Sequence, residues 1–391
     1  MIPIVRRLLA GVLLCCGALP WAGAAPRTPA DEGEVLERLS LVRDSPQAAA
    51  LRELRARVAA APADPGPAAV LARRYFSLAM ADGDPRFIGY AQAALRSWDA
   101  PDAPSAILVV RAMLRQYRHD FDGALTDLAL ALQRDAGDAE VHAWRAAILM
   151  VRADYARAAE ACAALAALED GVQAVGCSAY VEATTGRTRT AYDRLRAALA
   201  ARPDSDRSER LWALTRLAEM ADRLGDAAAA ERHFKAALAL GREDNFVLAA
   251  YADFLLAQRR ERDVVALLKG RERSDTLLLR VALAAHRLGL PEAAGHVRTL
   301  GERFAAAALR GERLHLAEEA RYLLELRGDA GAALAAAAEN WKSQREPRDA
   351  LILLEAARAA RAPAAAAPVL GWLARSGFEH EGMRRLAVEL R

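Results

Sequence analysis

The residues of this sequence best suited to chemistry are two cysteines near its middle, Cys162 and Cys177, and seven histidines spread along the chain. A polar turn, Leu168-Glu169-Asp170-Gly171, lies midway between the two cysteines. If that turn joins two antiparallel helices, each cysteine lies about 11 Å along its own helix, because an α-helix rises 1.5 Å per residue. The spacing therefore predicts a disulfide between them, and the alternative is a pair of small apolar side chains in the core.

The histidines match no metal-binding or catalytic motif. The sequence has no HExxH zinc motif, no CxxCH haem attachment, no GxSxG nucleophile turn and no GxxxxGK[ST] phosphate loop. His286 and His296 fall near one turn, but surface or inter-helix positions are the favoured interpretation for both. We therefore expect a non-catalytic protein with no cofactor and no metal site.

The composition indicates which elements position these residues. Apolar residues make up 54% of the 391 residues but aromatic ones only 6%, and alanine supplies the difference. Alanine has the highest helix propensity, whereas a β-sandwich needs more β-branched and aromatic residues. Charged residues, at 27%, are too many for a multi-span membrane protein and too well mixed with apolar ones for a disordered chain. The composition predicts an ordered all-α protein.

The first 24 residues have the pattern of a secretory signal peptide. Arg6 and Arg7 precede the apolar stretch Leu8–Leu19, which is too short to span a bilayer, and Ala22-Gly23-Ala24 forms a small-x-small cleavage site. Cleavage before Ala25 predicts a periplasmic or secreted protein with no membrane span after signal removal. An uncleaved anchor is the alternative.

Removal of the signal peptide changes the net charge and the cysteine count. It takes away two arginines and no acidic residue, which lowers the formal charge from +3 to +1. A chain so near neutrality is a poor nucleic-acid binder, since such proteins neutralise many phosphates, and a protein partner is favoured. Cys15 and Cys16 also leave, so that Cys162 and Cys177 remain in an oxidising compartment that favours the disulfide.

A motif recurs every 30 to 39 residues from about residue 65 onward. It places a small or basic residue and often Asp at a turn, followed by Ala early in the next helix, as in His119-Asp120-Phe121-Asp122-Gly123-Ala124. The last residue of each copy of the motif belongs to a series that we call the first ladder. A second ladder, made mostly of alanine, consists of the residues twelve positions before those of the first. The first ladder is Ala124, Ala158, Ala191, Ala230, Val264, Ala294, Ala333 and Ala367, and the second is Ala112, Ala146, Ala179, Ala218, Ala252, Ala282, Arg321 and Glu355.

The two ladders resemble the tetratricopeptide repeat, a 34-residue helix-turn-helix unit whose helices meet at small residues. Pro203 matches the proline that ends a repeat of that family, and a third small position is filled by Ala131, Ala198, Ala237 and Ala374. The resemblance implies an all-α fold, a right-handed α-solenoid of about 8–9 helical hairpins after the signal peptide.

The resemblance also suggests how the chain is divided. Residues 1–24 are the signal peptide, residues 25–65 an N-terminal linker with capping helices, and residues 66–391 the superhelical array. The array is expected to end in a C-terminal capping helix over Glu379–Arg391. Interaction with another chain is an alternative to capping for residues 31–61.

In this family the first helices of the hairpins line a concave groove that binds a partner. The groove implied by the resemblance mixes aromatic residues with both charges, which favours a non-catalytic periplasmic scaffold that holds a protein segment, for envelope assembly or secretion. The alternative is a glycan-binding accessory protein or enzyme subunit that uses the groove aromatics. The family's groove positions can be transferred to this sequence by their place within the repeat. The predicted groove residues are then Gln116, Tyr117, Tyr180, Trp212, Asp222, Arg223, His286, Arg287 and Tyr322.

Overall fold

A computed structural model describes residues 31, 45–241, 244–312 and 315–391, apart from the side chain of Asp82. The predicted signal peptide and residues 25–30 and 32–44 of the predicted linker lie outside the described residues. The chain divides between Ala50 and Leu51, and every contact discussed below lies within Leu51–Arg391.

Twenty α-helices and two short 3-10 segments, Arg96–Trp98 and Pro363–Ala366, make up the regular structure of the described residues, which contain no strand. None of these helices combines the length and the apolar character that crossing a bilayer requires. The helices are α1 Pro46–Ala60, α2 Pro65–Asp82, α3 Arg86–Ala94, α4 Ser105–Tyr117, α5 Phe121–Arg134, α6 Ala139–Val151, α7 Tyr155–Leu168, α8 Val172–Thr184, α9 Thr188–Ala201, α10 Arg207–Arg223, α11 Ala227–Leu238, α12 Asn245–Ala257, α13 Glu261–Leu267, α14 Asp275–Leu288, α15 Ala293–Leu309, α16 Leu316–Glu325, α17 Ala330–Ser343, α18 Pro347–Ala359, α19 Ala367–Ser376 and α20 Glu381–Glu389.

From α2 onward the described helices form nine hairpins, α2–α3 to α18–α19, and α20 follows the last of them. The two helices of a hairpin pack together, and the second helix usually packs on the first helix of the next hairpin as well. The predicted all-α solenoid is therefore confirmed. Between consecutive hairpins, the helix backbones approach each other least at α15 and α16, where the side chains of Phe304 and Tyr322 bridge the two helices.

The recurring Asp of the sequence motif starts the second helix of a hairpin. Asp120 and Asp226 each accept a hydrogen bond from the backbone N–H three residues later, at 3.0 and 2.9 Å, which is the N-cap arrangement. The residue before each Asp has a positive φ, 60° at His119 and 79° at Gly225. A left-handed residue ends the first helix and the capping Asp begins the next, so the motif encodes a tight helix–helix turn.

The alanine ladders mark positions where helices approach closely. Their alanines are almost wholly buried up to residue 282. At two later positions the register shifts by one, because Ala293 and Ala366 are buried where Ala294 and Ala367 are exposed, whereas Ala333 is buried as predicted. The Asp cap is absent before α15 and α19, but it is also absent before α9 and α13, whose ladder residues are buried in register, so the missing cap alone does not cause the shift.

The predicted disulfide is present. Cys162 on α7 and Cys177 on α8 are joined, with their Cα atoms 5.5 Å apart, as the symmetric placement about the intervening turn predicts. The bond joins the second helix of one hairpin to the first helix of the next and so ties two repeats together.

The array winds back onto itself, so that turns of the early hairpins touch hairpins five or six places later. We call this line of contact the seam. The approach is close: a Cβ on Gly186 would lie 2.9 Å from the carbonyl oxygen of Gly377. Hydrogen bonds between described residues cross the seam: Arg345 N–H to the Val151 carbonyl (2.8 Å), Trp372 Nε1–H to Tyr155 Oη (2.8 Å), Gln344 Nε2–H to His119 Nδ1 (3.2 Å) and Thr188 N–H to Glu379 Oε2 (2.9 Å).

Candidate functional site

The first helices of successive hairpins bring charged and aromatic side chains onto one continuous surface, which we call the inner face. Ion pairs and ring contacts connect α8 to α10 and α12, and α12 in turn to α14 and α16. Because the seam joins the early hairpins to the late ones, this face is enclosed by the array. Two clusters on it have the chemistry expected of a binding surface.

In the first cluster an arginine lies among three aromatic rings. The guanidinium carbon of Arg216 lies 4.6 Å from the ring centroid of Tyr180, 4.7 Å from that of Phe246 and 5.9 Å from that of Trp212. Its Nη1 donates to Glu219 at 2.8 Å, whereas its buried Nε has no hydrogen-bond partner among the described residues. Cation–π attraction is strongest when the cation is desolvated, and Arg216 is only 8% exposed.

Close packing of α8 on α10 holds these rings in place. A Cβ on Gly176 would lie 2.4 Å from Cζ3 of Trp212, so only glycine allows the indole to lie this close to α8. The ring of Tyr180 meets Trp212 edge-on, with centroids 6.4 Å apart, and burial raises the pKa of Tyr180 to about 12. Phe246 on α12 is 39% exposed and so remains available for contact.

The second cluster is a ladder of opposite charges across α12, α14 and α16. Asp253 accepts from Arg280 at 2.7 Å and from Arg321, while Glu325 accepts from Arg321 and from Arg287, both at 2.7 Å. Burial disfavours the charged form of Asp253, but the two guanidinium groups outweigh it and hold the pKa of that carboxyl below its usual value. The Asp253 side chain is still 36% exposed, so water reaches this part of the inner face.

Three of the nine predicted groove residues belong to these clusters: Tyr180 and Trp212 to the first, and Arg287 to the second. Two others lie elsewhere, since Tyr322 and His286 line a cleft of about 1010 Å³ beside α15. The buried ring of Tyr322 packs there with its centroid 5.4 Å from that of Phe304.

The remaining predicted residues lie at the ends of the first helices. Arg223 donates to the carbonyl of Ala183 at 3.1 Å, and its guanidinium lies 4.7 Å from the ring centroid of Phe378, close to the seam. Burial lowers the pKa of Arg223 and raises those of Asp222 and Tyr117. All four of these predicted residues are half-buried: Gln116, Tyr117, Asp222 and Arg223.

Reasoning from sequence missed three arginines of the inner face, Arg216, Arg280 and Arg321. The first could have been found from its spacing, because Arg216 follows Trp212 by four residues and so shares its helix face. Arg321 was assigned to a small-residue position, and the register shift near α16 places Ala320 there instead. No group of three or more potential metal ligands occurs among the residues that the structure describes.

No family model matches the sequence, and no curated protein matches it. Among solved structures, the chain is similar to one in the crystal structure of the APC/C hetero-tetramer Cut9–Hcn1. The two share 13% sequence identity and a TM-score of 0.51, over 84% of this chain and 63% of that one.

Two further matches have lower TM-scores. They are the structure of Naa15/Naa10 bound to HypK (16% identity, TM-score 0.31, 88% of this chain and 56% of that one) and the P58(IPK) TPR domain (13%, 0.22, 88% and 96%). The chain thus spans less than two thirds of the Cut9–Hcn1 and Naa15/Naa10 chains that it matches. The stacked hairpins and the likeness to the Cut9–Hcn1 chain show that this protein has the tetratricopeptide-repeat fold, as the sequence resemblance implied.

Proposed function

We propose that this protein is a non-catalytic scaffold that holds an extended segment of a partner protein against its inner face. The observation that carries the proposal is the Arg216 cluster, in which a buried arginine and the exposed ring of Phe246 lie on the same surface as the ladder of ion pairs. Large aromatic rings and arginines are the residue types that dominate binding energy at protein interfaces. The cluster supplies an anchor of this kind.

The charge ladder gives the same surface a means of selecting its partner. Asp253 and Glu325 alternate with arginines along the face, and they remain partly accessible to water. Opposite charges across an interface contribute to register and specificity more than to raw affinity. A partner segment with an apolar side chain at the Arg216 cluster and charged side chains beyond it would match this arrangement.

Site-specific photo-crosslinking tests the proposal. A benzophenone amino acid at position 246 places the probe on the inner face. The same amino acid in place of Tyr90, a 49% exposed aromatic on the second helix α3, is the matched control. We expect one protein to crosslink from position 246 in cells of the source and not from position 90. Equal crosslinking from both positions, or none from position 246, would refute the inner face as the partner site.

We further propose that the scaffold is exported and serves envelope assembly or secretion. The signal-like residues 1–24 and the Cys162–Cys177 disulfide support export, because disulfides persist in oxidising compartments. Intact-mass analysis of the protein isolated from its source tests both features together. A chain that begins at Ala25 with no alkylatable thiol is expected, whereas a chain that keeps residues 1–24 and has four alkylatable thiols would contradict export.

A further inference from the structure

A cavity of about 680 Å³ opens at the seam, between hairpin α6–α7 on one side and helices α17 and α19 on the other. We call it the seam pocket. It exists only because the array winds back onto itself, and its volume lies in the range of small-molecule sites. The lining residues are Ala153, Tyr155, Thr185, Ala338, Trp341, Lys342, Arg345, Ala367, Pro368, Gly371, Trp372, Arg375 and Ser376.

The charge of the seam pocket differs from that of the inner face. Among the described residues, its lining contains three cations, Lys342, Arg345 and Arg375, and no carboxylate. On the inner face, by contrast, Arg280, which is buried, and its neighbours pair with acids. Positive charge in excess of the acids around a cavity favours an anionic ligand.

The three cations are not equally available. Lys342 pairs with Glu339 at 2.6 Å in an exposed position, where an ion pair contributes little. Arg345 donates from Nε and Nη2 to the carbonyls of Trp341 and Lys342, so part of its role is to cap the end of α17. Arg375 makes no ion pair with any described residue, and its Nη1 lies over Gly371, where a Cβ would be only 3.1 Å away. Arg375 therefore holds the most available charge.

The apolar wall of the pocket is aromatic and fixed in position. Trp372 donates from Nε1 to Tyr155 Oη at 2.8 Å, and the rings of Trp341 and Trp372 meet edge-on with centroids 5.8 Å apart. A preformed apolar wall next to a few polar groups is the usual design of a small-molecule site. A ligand for this pocket therefore needs both a negative group and a ring or other apolar body.

We propose that the seam pocket binds an anionic sugar, with its carboxylate or phosphate at Arg375 and Arg345 and its ring against the aromatic wall formed by Tyr155, Trp341 and Trp372. A uronic acid and a sugar phosphate share this chemistry. The site is separate from the inner face, so a failed crosslink from position 246 would leave this proposal untouched.

Calorimetric titration of the purified chain tests the proposal with four probes: glucuronate, glucose 6-phosphate, glucose and inorganic phosphate. We expect at least one of the two anionic sugars to bind at least tenfold more tightly than both glucose and inorganic phosphate. Binding should also change the tryptophan fluorescence, since Trp341 and Trp372 line the pocket. Which anionic sugar binds more tightly distinguishes a carboxylate ligand from a phosphate one.

Two arginine variants locate the binding. Arg375→Gln should weaken the anionic sugar at least tenfold. Arg384→Gln, at an exposed arginine on α20 that pairs with Glu381, should bind it as the wild type does. The proposal is overturned if neither anionic sugar binds more tightly than glucose, if inorganic phosphate alone binds as tightly as they do, or if Arg375→Gln binds unchanged.

Discussion

Replacing Gly176 with alanine should destabilise the protein, although alanine is the better helix former. A Cβ at this position of α8 would lie 2.4 Å from Cζ3 of Trp212, whereas carbon atoms in good contact are about 3.5–4.0 Å apart. The indole must therefore move by about 1 Å. Overpacking of this kind costs about 1–3 kcal/mol, and the gain in helix propensity returns about 1 kcal/mol. We expect a net loss of up to about 2 kcal/mol.

The same substitution at Gly89 is the matched control. Gly89 lies in the middle of α3, is exposed, and has no atom within 4 Å of a Cβ built on it. Gly89→Ala should therefore stabilise the protein by up to about 1 kcal/mol. The two variants differ in the sign of the expected change, so helix propensity alone cannot explain both results.

Hydrogen exchange of the amides in α8 and α10 is the suitable assay, because hairpin arrays open hairpin by hairpin and a single melting temperature averages over them. Gly176→Ala should speed exchange in these two helices and change the fluorescence of Trp212. If Gly176→Ala slows exchange as much in α8 as Gly89→Ala does in α3, then Trp212 does not pack on Gly176 in the way described.

Two further predictions concern the disulfide and the seam. Replacing both Cys162 and Cys177 with alanine should lower the protection of the α7 and α8 amides against hydrogen exchange by about 3 kcal/mol, because the disulfide closes a loop of 15 residues. Unchanged protection would contradict this estimate. Burial lowers the pKa of His119 from 6.5 to about 4, so the unfolded chain takes up the proton first as the pH falls, and stability is lost from about pH 6.5 downward. Between pH 7 and pH 5 the wild type should therefore lose about 2 kcal/mol more than His119→Gln in denaturant unfolding, and equal losses would refute this assignment.

Local chemistry was sufficient to predict the hairpins. The turn after α4 needs a left-handed residue and then a capping side chain, and His119 and Asp120 supply them within two positions of the sequence. The disulfide was predictable for the same reason, because Cys162 and Cys177 lie at equal distances from one turn. Before α15 the predicted register was off by one residue, since Ala293 and not Ala294 is buried.

The candidate site was predictable only in part. Trp212 and Tyr180 follow from the register of the first helices, but Arg216 contacts rings from three different helices, and no single helix pattern identifies all of them. Tyr322 shares the register of a groove residue, yet its ring packs against Phe304 of α15 beside a cleft, where the backbones of α15 and α16 are widely separated. Register alone does not reveal where the stacking of hairpins is interrupted.

By itself, the sequence determined the all-α hairpin array, its close-packed alanines and the bond that joins α7 to α8, because each depends on residues a few turns apart. Only the tertiary structure decided that the array winds back onto itself, which encloses the inner face and creates the seam pocket. Tyr155 and Trp372 meet there although they are 217 residues apart. Their meeting depends on small rotations that accumulate from one hairpin to the next, and no local pattern encodes that sum.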